Sequence, residues 1–358
     1  MRIVVFGGGM QGRVIAQNLV DRPEQPEVIM ADIRAQENLP KGVTGKVVDV
    51  LDVGSVDKIA KNADAAILAV PSQIAHEALS NLIRCGLRVA DVSFTPNPPL
   101  DLDINAKRSG SCCVVDCGVA PGLSHILAAA AHEQLEGLDS LKIYVGGIPE
   151  TPPPVFHHAV YFNPRDLIAE YVRPARARSD GKDIAPPPLE VDFESYNDPD
   201  FGTLESFLSD GLRTLLESYP NVANMSERTL RWRGHLETMK SLNEMGLFKD
   251  MRTSNGIADA LGERYPADEH PDMMVMLVEG RRKGGKRKAW RLIDRKTNGQ
   301  SAMSRTTGYT TAAIAMVLAK RLFNQPGVHA PEVLGKNASL TEHILDDLSK
   351  RGVVVTEA

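Results

Sequence analysis

A short apolar run, Arg2-Ile-Val-Val-Phe6, ends directly in Gly7-Gly8-Gly9-Met10-Gln11-Gly12, and a helical pattern at Val14, Ile15 and Leu19 follows. This G-x-G-x-x-G turn has a physical reason at each glycine. Gly7 allows the tight turn, Gly9 lets the backbone approach a pyrophosphate, and Gly12 lets helix and strand pack closely. The opening turn of the helix, with Met10 and Gln11, offers N–H groups and a positive dipole end to phosphates. Twenty residues past Gly12, after a second apolar run, comes Asp32. A carboxylate there accepts from both ribose hydroxyls and repels a 2′-phosphate, so NAD is favoured over NADP. Arg34, just beyond Ile33, pulls the other way, because a guanidinium can pair with that phosphate. Strand, helix and acid together make a dinucleotide site a specific expectation.

Bound nicotinamide chemistry is hydride transfer, so the remaining chain must supply a substrate site and acid–base groups. Three segments carry polar residues suited to it. In Asp116-Cys-Gly-Val-Ala-Pro-Gly-Leu-Ser-His125, a strand-end carboxylate precedes a Gly/Pro turn into a helix whose start, Gly122 to Ser124, offers N–H groups. Asp116 suits a site role, and equally a turn-forming or capping role. In Tyr161-Phe-Asn-Pro-Arg-Asp166, Asn163 is placed to cap the helix Leu167–Tyr171. Arg165 offers a planar fork for a carboxylate, with a surface ion pair as the competing account. In Arg228-Thr-Leu-Arg-Trp-Arg-Gly-His235, strand alternation puts Arg231 and Arg233 on one face. That density of cations suggests an anion-binding edge. His235 is either a proton-transfer group or a hydrogen-bonded structural residue.

These groups need a scaffold, and the first ~120 residues supply a β-α rhythm typical of a doubly wound parallel sheet. Strands are expected at 2–6, 27–31, 45–49, 64–70, 87–92 and 112–116, with helices at 11–21, 55–61, 73–85 and 101–109. The strand ends that should line the cofactor crevice include Asp32, Asp49, Val70-Pro71, Ser93-Phe94 and, after Asp116, Gly118 and Ala120. A helix over 123–135 follows, then an alternating run, 141–148, containing Gly146-Gly147. Further strand-like runs lie at 155–162, 189–195, 203–208 and 228–233. A hairpin is expected at 273–293, turning on Lys283-Gly284-Gly285-Lys286. Helical patterns over 308–323 and 339–351 complete the chain, ahead of Val353-Val-Val355. The expected α/β organisation is a Rossmann domain (1–121), a second α+β domain on an open, mostly antiparallel sheet (122–305), and a helical segment (306–358) returning to the first domain.

Composition is that of an ordinary globular chain: 358 residues, 42% apolar, 24% charged, net charge −5. No apolar run reaches membrane-spanning length, and the acidic balance gives no reason to expect nucleic acid. The hairpin cations (Arg281, Arg282, Lys283, Lys286, Arg287, Lys288) interleave with a single aromatic, Trp290, and read as a solvated tip guarding an edge strand. Four cysteines (Cys85, Cys112, Cys113, Cys117) form neither a C-x-x-C pair nor a secreted framework. Buried thiols outweigh a zinc site of Cys113, Cys117 and His125, so no metal is expected. With a Rossmann strand at the very start, no leader is expected, and a reducing cytoplasmic location follows.

At the same segments the sequence resembles the saccharopine dehydrogenase-like superfamily, and within it the NAD-dependent lysine 6-dehydrogenases. The carrying motifs are DCGVAPGLSHILA (116–128), YVGGIP (144–149), LIAEYVRPAR (167–176), LESFLSDGLRTLLES (204–218), TLRWRGHLETMKSLNEMGLFK (229–249) and residues 301–313. The resemblance implies a Rossmann domain closed by a C-terminal helix, a sheet-rich catalytic and dimerisation domain, and oxidation of an amino acid at its side-chain amine. It implies a substrate crevice lined by Asp116, Arg231, His235, Ser93, Phe94 and Gly146-Gly147; Tyr161 and Arg165, from the second segment, are further substrate-binding candidates. A homodimer is the implied assembly. Saccharopine-forming reductases tend to read G-L-D-P-G-I-D-H where this chain has Gly118-Val-Ala-Pro-Gly-Leu-Ser-His125, so both acids are replaced, by Ala120 and Ser124. They also tend to carry Cys where this chain has Val145. This favours deamination of lysine to allysine, ammonia and NADH, with Asp116 on the amine, His235 in proton relay, and Arg231, then Arg165, on the α-carboxylate. The alternatives are a saccharopine-type enzyme and a non-catalytic NAD sensor. A sugar dehydrogenase of the glucose–fructose type is excluded, because the turn where that family carries a catalytic Lys reads Asp91-Val-Ser-Phe-Thr-Pro96.

Overall fold

The computed structural model describes residues 1–95 and 99–358, so Pro96, at the end of that last turn, lies outside the described residues. The chain forms two compact units: Met1–Ala130 with Ser304–Gly352, and Ala131–Met303 with Val353–Ala358.

The first unit is built on a parallel sheet. Its strands are β1 (Arg2–Phe6), β2 (Glu27–Asp32), β3 (Val43–Val47), β4 (Ala65–Leu68), β5 (Arg88–Asp91) and β6 (Cys112–Val114), with Gly327–His329 adding a seventh beside β6. Read from the β3 edge, the order is 3-2-1-4-5-6, reversing direction between β1 and β4. That is the doubly wound arrangement, and its crevice opens outside the carboxyl ends of these two strands. Continuous apolar strands follow from burial on both faces: Ile3, Val4, Val5, Ile67 and Leu68 are fully enclosed. The edge strand β3 is exposed at four of five positions, as its polar sequence requires. The seventh strand was not expected; at three residues it is too short to show a period.

The second unit carries a nine-stranded sheet. Its strands are β7 (Ser140–Pro149), β8 (Ala177–Ser179), β9 (Lys182–Ile184), β10 (Glu194–Asp198), β11 (Gly202–Ser209), β12 (Asn224–Trp232), β13 (Asp272–Arg282) and β14 (Lys286–Arg295). With Gly327–His329 as β15, β16 (Val355–Glu357) completes it in the order 10-11-12-7-13-14-16, and only β12 and β7 run parallel. The hairpin turn is as read: Gly284 and Gly285 both take positive φ (+84° and +78°), which glycine adopts without a steric cost. Four of its cations, Arg281, Arg282, Arg287 and Lys288, pair with Glu279, Glu136 and Glu357, as suits a solvated tip.

Two strand-like runs are corrected. Residues 155–162 form no strand, only a bridge at Val160, because Pro152, Pro153, Pro154 and Pro164 flank them and proline cannot donate to a ladder. Residues 189–195 begin as a 3₁₀ turn (Pro188–Glu190), and pairing starts only at Glu194. The helix expected at 308–323 instead spans Ala302–Ala319.

Candidate active site

In the first unit the glycine turn has the shape its sequence demands. A Cβ on Gly7 (φ +109°) would lie 2.1 Å from the Ala69 carbonyl oxygen, and one on Gly12 would lie 1.8 Å from that of Gly7. A Cβ on Gly9 meets nothing within 4 Å. The helix Met10–Val20 starts at Gly9 with no side-chain cap. Its first turn therefore keeps N–H groups for a phosphate. The Gln11 Oε1 atom beside it is buried without a partner among the described residues. A dinucleotide fits this open, uncapped cradle.

Asp32 ends β2 and accepts the Gly8 N–H at 2.7 Å and the Arg34 N–H at 2.9 Å, so its carboxylate is tied to the glycine turn. Arg34 and Ile33 are exposed beyond it. Arg13, which the sequence did not single out, fastens this corner by donating to Gly8 O, Gln36 Oε1, Glu37 O and Asn38 O. Asp49 accepts the Leu51 N–H at 2.9 Å and shapes a turn. Val70 donates its N–H to Ser93 Oγ (3.0 Å), and Ser93 donates its own to Asp91 Oδ1 (2.8 Å). Pro71 opens the helix Ser72–Arg84, and Phe94 is half-buried.

Asp116 follows β6 with φ +53° and is 4% exposed. The turn behind it is closed by backbone: a Cβ on Gly122 would fall 2.0 Å from the Gly118 oxygen. The N–H groups of Leu123 and Ser124 donate to Gly118 O and Val119 O, each at 2.9 Å. They are thus not available to a ligand as expected, because the turn itself uses them. Ala120 precedes Pro121 in a cis peptide, and Thr311 donates to Cys117 O at 3.0 Å. Cys113 and Cys117 are enclosed, and burial pushes the Cys113 thiol up to about 12. Among the described residues no three His, Cys, Asp or Glu side chains group as a metal site.

In the second unit, Arg231 and His235 come together through Tyr171, which lies outside the segment that carries them both. Arg231 on β12 is 2% exposed. It donates from Nε to Tyr171 Oη (2.9 Å), from Nη1 to Leu230 O (2.9 Å) and from Nη2 to Glu170 Oε2 (2.8 Å). Tyr171 and Glu170 sit on the helix Pro164–Val172, where Asn163 caps by accepting the Arg165 N–H. His235 Nδ1 lies 2.7 Å from the Phe156 carbonyl oxygen and therefore carries the proton it donates there. The Tyr171 hydroxyl, 2.7 Å from His235 Nε2, must then donate to that nitrogen. Burial, reinforced by the Arg231 charge, lowers the His235 pKa to about 3. The ring stays neutral at physiological pH.

These contacts revise three expected roles. The Arg231 fork is spent on Glu170, Tyr171 and Leu230, so it is an interior strut, not a carboxylate clamp. Arg165 points to solvent and pairs with Asp259 at 3.0 Å. His235 has both ring nitrogens engaged and no exposed surface, which leaves it nothing with which to relay a proton to water. Tyr161 donates to His270 O at 3.1 Å, and Gly147 on β7 lies under the Met303 side chain. The sequence did not single out Glu170 or Tyr171 as site residues, although both lie in the LIAEYVRPAR motif, nor His158 or Glu227; Tyr171 and His235 meet across 64 positions, beyond any local period.

A profile of the family described as "Saccharopine dehydrogenase C-terminal domain" matches residues 118–353. A saccharopine dehydrogenase [NADP(+), L-glutamate-forming] of Pyricularia oryzae is 22% identical over 261 residues, 69% of this chain and 58% of its own length. One of Saccharomyces cerevisiae with the same name is 22% identical over 229 residues, 59% and 50%. The chain thus spans about half the length of the curated relatives it matches. Among solved structures, the apo, histidine-tagged L-Glu-forming saccharopine dehydrogenase of S. cerevisiae superposes with a TM-score of 0.80 at 18% identity, over 100% of this chain and 99% of that one. DAP dehydrogenase of C. glutamicum, in complex with DAP, gives 0.52 at 14% identity over 99% of each. At such identities these likenesses speak for the fold, while the profile spans most of the sequence: the chain belongs to the saccharopine dehydrogenase-like superfamily.

Proposed function

We propose that this protein oxidises L-lysine at its ε-amine with NAD, forming allysine, ammonia and NADH. The observation that carries the proposal is Asp116, an enclosed carboxylate held at a left-handed turn off the end of β6, in the same unit as the dinucleotide cradle. NAD, when bound, supplies the hydride acceptor. Gly7, Gly9, Met10, Gln11 and Gly12 would hold its phosphates and Asp32 its ribose. The chain's own task is the proton. A lysine amine has a pKa near 10.4 and cannot give up hydride as ammonium. Asp116 holds the amine and takes its proton; water then adds to the oxidised carbon and ammonia leaves. His235 and Arg231 are positioning residues, which fix Tyr171, Phe156 and Glu170.

Lysine is preferred to saccharopine because Ala120 and Ser124 stand where saccharopine-forming reductases carry acids, and Ser124 is buried against His125 at 3.1 Å. NADH formation is to be followed at alkaline pH with NAD and a panel of L-lysine, ornithine, saccharopine and cadaverine. Turnover of lysine with ammonia release supports the proposal. Turnover of saccharopine alone replaces it with the reaction in the relatives' names, and silence despite NAD binding points to a sensor.

Cofactor choice has its own test, since the relatives are named for NADP(+). Asp32→Asn removes the charge and keeps an acceptor for the backbone. The NAD-to-NADP ratio of kcat/KM is expected to fall by roughly ten- to hundredfold, the scale of one hydrogen bond to a charged group. A wild type that uses NADP as well as NAD contradicts the assignment of Asp32.

A further inference from the structure

The loop that follows Asp32 has little apolar surface to hold it in place. Ile33, Arg34, Ala35, Glu37 and Asn38 are all exposed, and residues 33–38 form neither helix nor strand. Asn38 takes a left-handed φ of +51°, which asparagine tolerates. Fixing the backbone of each such residue costs about as much as a tenfold change in affinity. With so little burial, the order of this loop has to come from polar contacts.

Arg13, next to Gly12 on the helix Met10–Val20, supplies them. Its Nε donates to Gly8 O (3.1 Å), its Nη1 to Asn38 O (3.1 Å), and its Nη2 to both Gln36 Oε1 and Glu37 O (2.9 Å each). One guanidinium thus ties the glycine turn to three consecutive loop residues. All four acceptors are neutral, so the planar fork, not an ion pair, is what this corner uses. The Gln36 amide, which also donates to Arg34 O (3.3 Å), lies directly on Gly8: a Cβ there would be 2.6 Å from Gln36 Oε1. The G-x-G-x-x-G fingerprint leaves that position free, so the glycine found there answers to Gln36. The Gly8 N–H in turn donates to Asp32 Oδ2 at 2.7 Å. Arg13, Gln36, Gly8 and Asp32 are therefore one connected block inside the first unit.

We propose that Arg13 is the positioning residue for the adenosine end of the dinucleotide: its fork clamps residues 36–38 onto the glycine turn, so that Asp32 meets the ribose in a corner already ordered. This rests on the dinucleotide reading above and deepens it, and it is independent of which amino acid is oxidised. Without the clamp the loop samples many arrangements, and the affinity falls by the fraction of time it spends in the competent one. The bound cofactor then has to supply the ordering that Arg13 supplies in advance.

The test is calorimetric binding of NAD and of ADP-ribose to the full chain and to Arg13→Ala. ADP-ribose keeps the adenosine end and lacks the nicotinamide. Both dissociation constants are expected to rise together, by roughly ten- to hundredfold. Arg13→Lys keeps the charge but not the fork, and is expected to bind as weakly as the alanine variant. With a substrate that turns over, KM for NAD rises by the same factor while kcat stays, whereas a general loss of structure lowers kcat through the active fraction. Without ligand, trypsin should cut after the exposed Arg34 roughly tenfold faster in Arg13→Ala. Unchanged affinities in Arg13→Ala overturn the proposal, and so does an Arg13→Lys that binds like the wild type, since charge alone then suffices. Should Arg13→Ala fail to fold, Gln36→Ala in the loop decides: it must weaken both ligands, and unchanged affinities refute the clamp. A wild type that binds neither NAD nor ADP-ribose overturns the dinucleotide reading and this proposal together, whereas one that binds both, with indifferent variants, overturns this one alone.

Discussion

Asp116→Asn is expected to lower kcat with lysine by roughly a hundred- to ten-thousandfold, the scale of a lost general base, with the affinity for NAD unchanged. Asparagine is the clean replacement because of the backbone. Asp116 sits at φ +53°, and Asp and Asn are the non-glycine residues most at ease there. The side chain keeps its size and loses only its charge and basicity. The pH profile separates this role from a structural one. Without the carboxylate, the reacting fraction of substrate is set by the free amine, so residual kcat/KM should climb about tenfold per pH unit toward ~10.4. A variant that keeps wild-type turnover at neutral pH, or one whose loss is the same at every pH, removes Asp116 from the chemistry.

What could be read in advance divides by the range of the signal. The β1–glycine turn–helix unit and Asp32 were legible because each depends on a few consecutive residues: Gly12 cannot carry a Cβ 1.8 Å from Gly7 O in any variant of the turn. The Asn163 cap and the Lys283–Lys286 turn were legible for the same reason. The second unit's mostly antiparallel sheet was legible too, but the surroundings of its cationic motif were not. Arg231 and His235 attract attention as a dense cationic motif, and the motif suggests an exposed edge. Their environment is decided instead by Glu170 and Tyr171 on a helix some sixty residues earlier, so the same residues become an interior network. The run at 155–162 shows the opposite failure. Its apolar residues suggest a strand, but the prolines around it remove the ladder, and what remains is a tight turn closed by the Phe156 N–H on Pro154 O.

A second large effect concerns stability and arises from alternation along β12, where Glu227, Thr229 and Arg231 share one face. Arg231 has Glu170, but Glu227 has no cation in an ion pair among the described residues. It is 4% exposed, its Oε2 atom has no partner among the described residues, and its Oε1 atom is 3.5 Å from Ser209 Oγ. A Cβ on Gly211 would fall 1.6 Å from that oxygen, so only glycine admits the carboxyl group there. Burial first, then the negative charges of Glu170 and Asp210, raise its pKa to about 8. The folded state therefore keeps Glu227 protonated over a range where the unfolded chain, titrating near 4.5, has already lost the proton. In that window the native state binds more protons, so stability falls as pH rises. The contribution is fully present below pH ~4.5 and is lost by pH ~8, a total on the order of 5 kcal/mol. Glu227→Gln removes the titration and keeps the shape. The variant is expected to match the wild type near pH 5 and to be more stable by several kcal/mol at pH 9, measured by denaturant unfolding at both values. Parallel stability curves contradict the burial of a lone acid at this position. The same titration bears on the proposed activity: alkaline pH, which frees the lysine amine for Asp116, also forces a charge onto Glu227. The wild type should therefore lose activity irreversibly at a lower pH than Glu227→Gln does, although both carry the same Asp116.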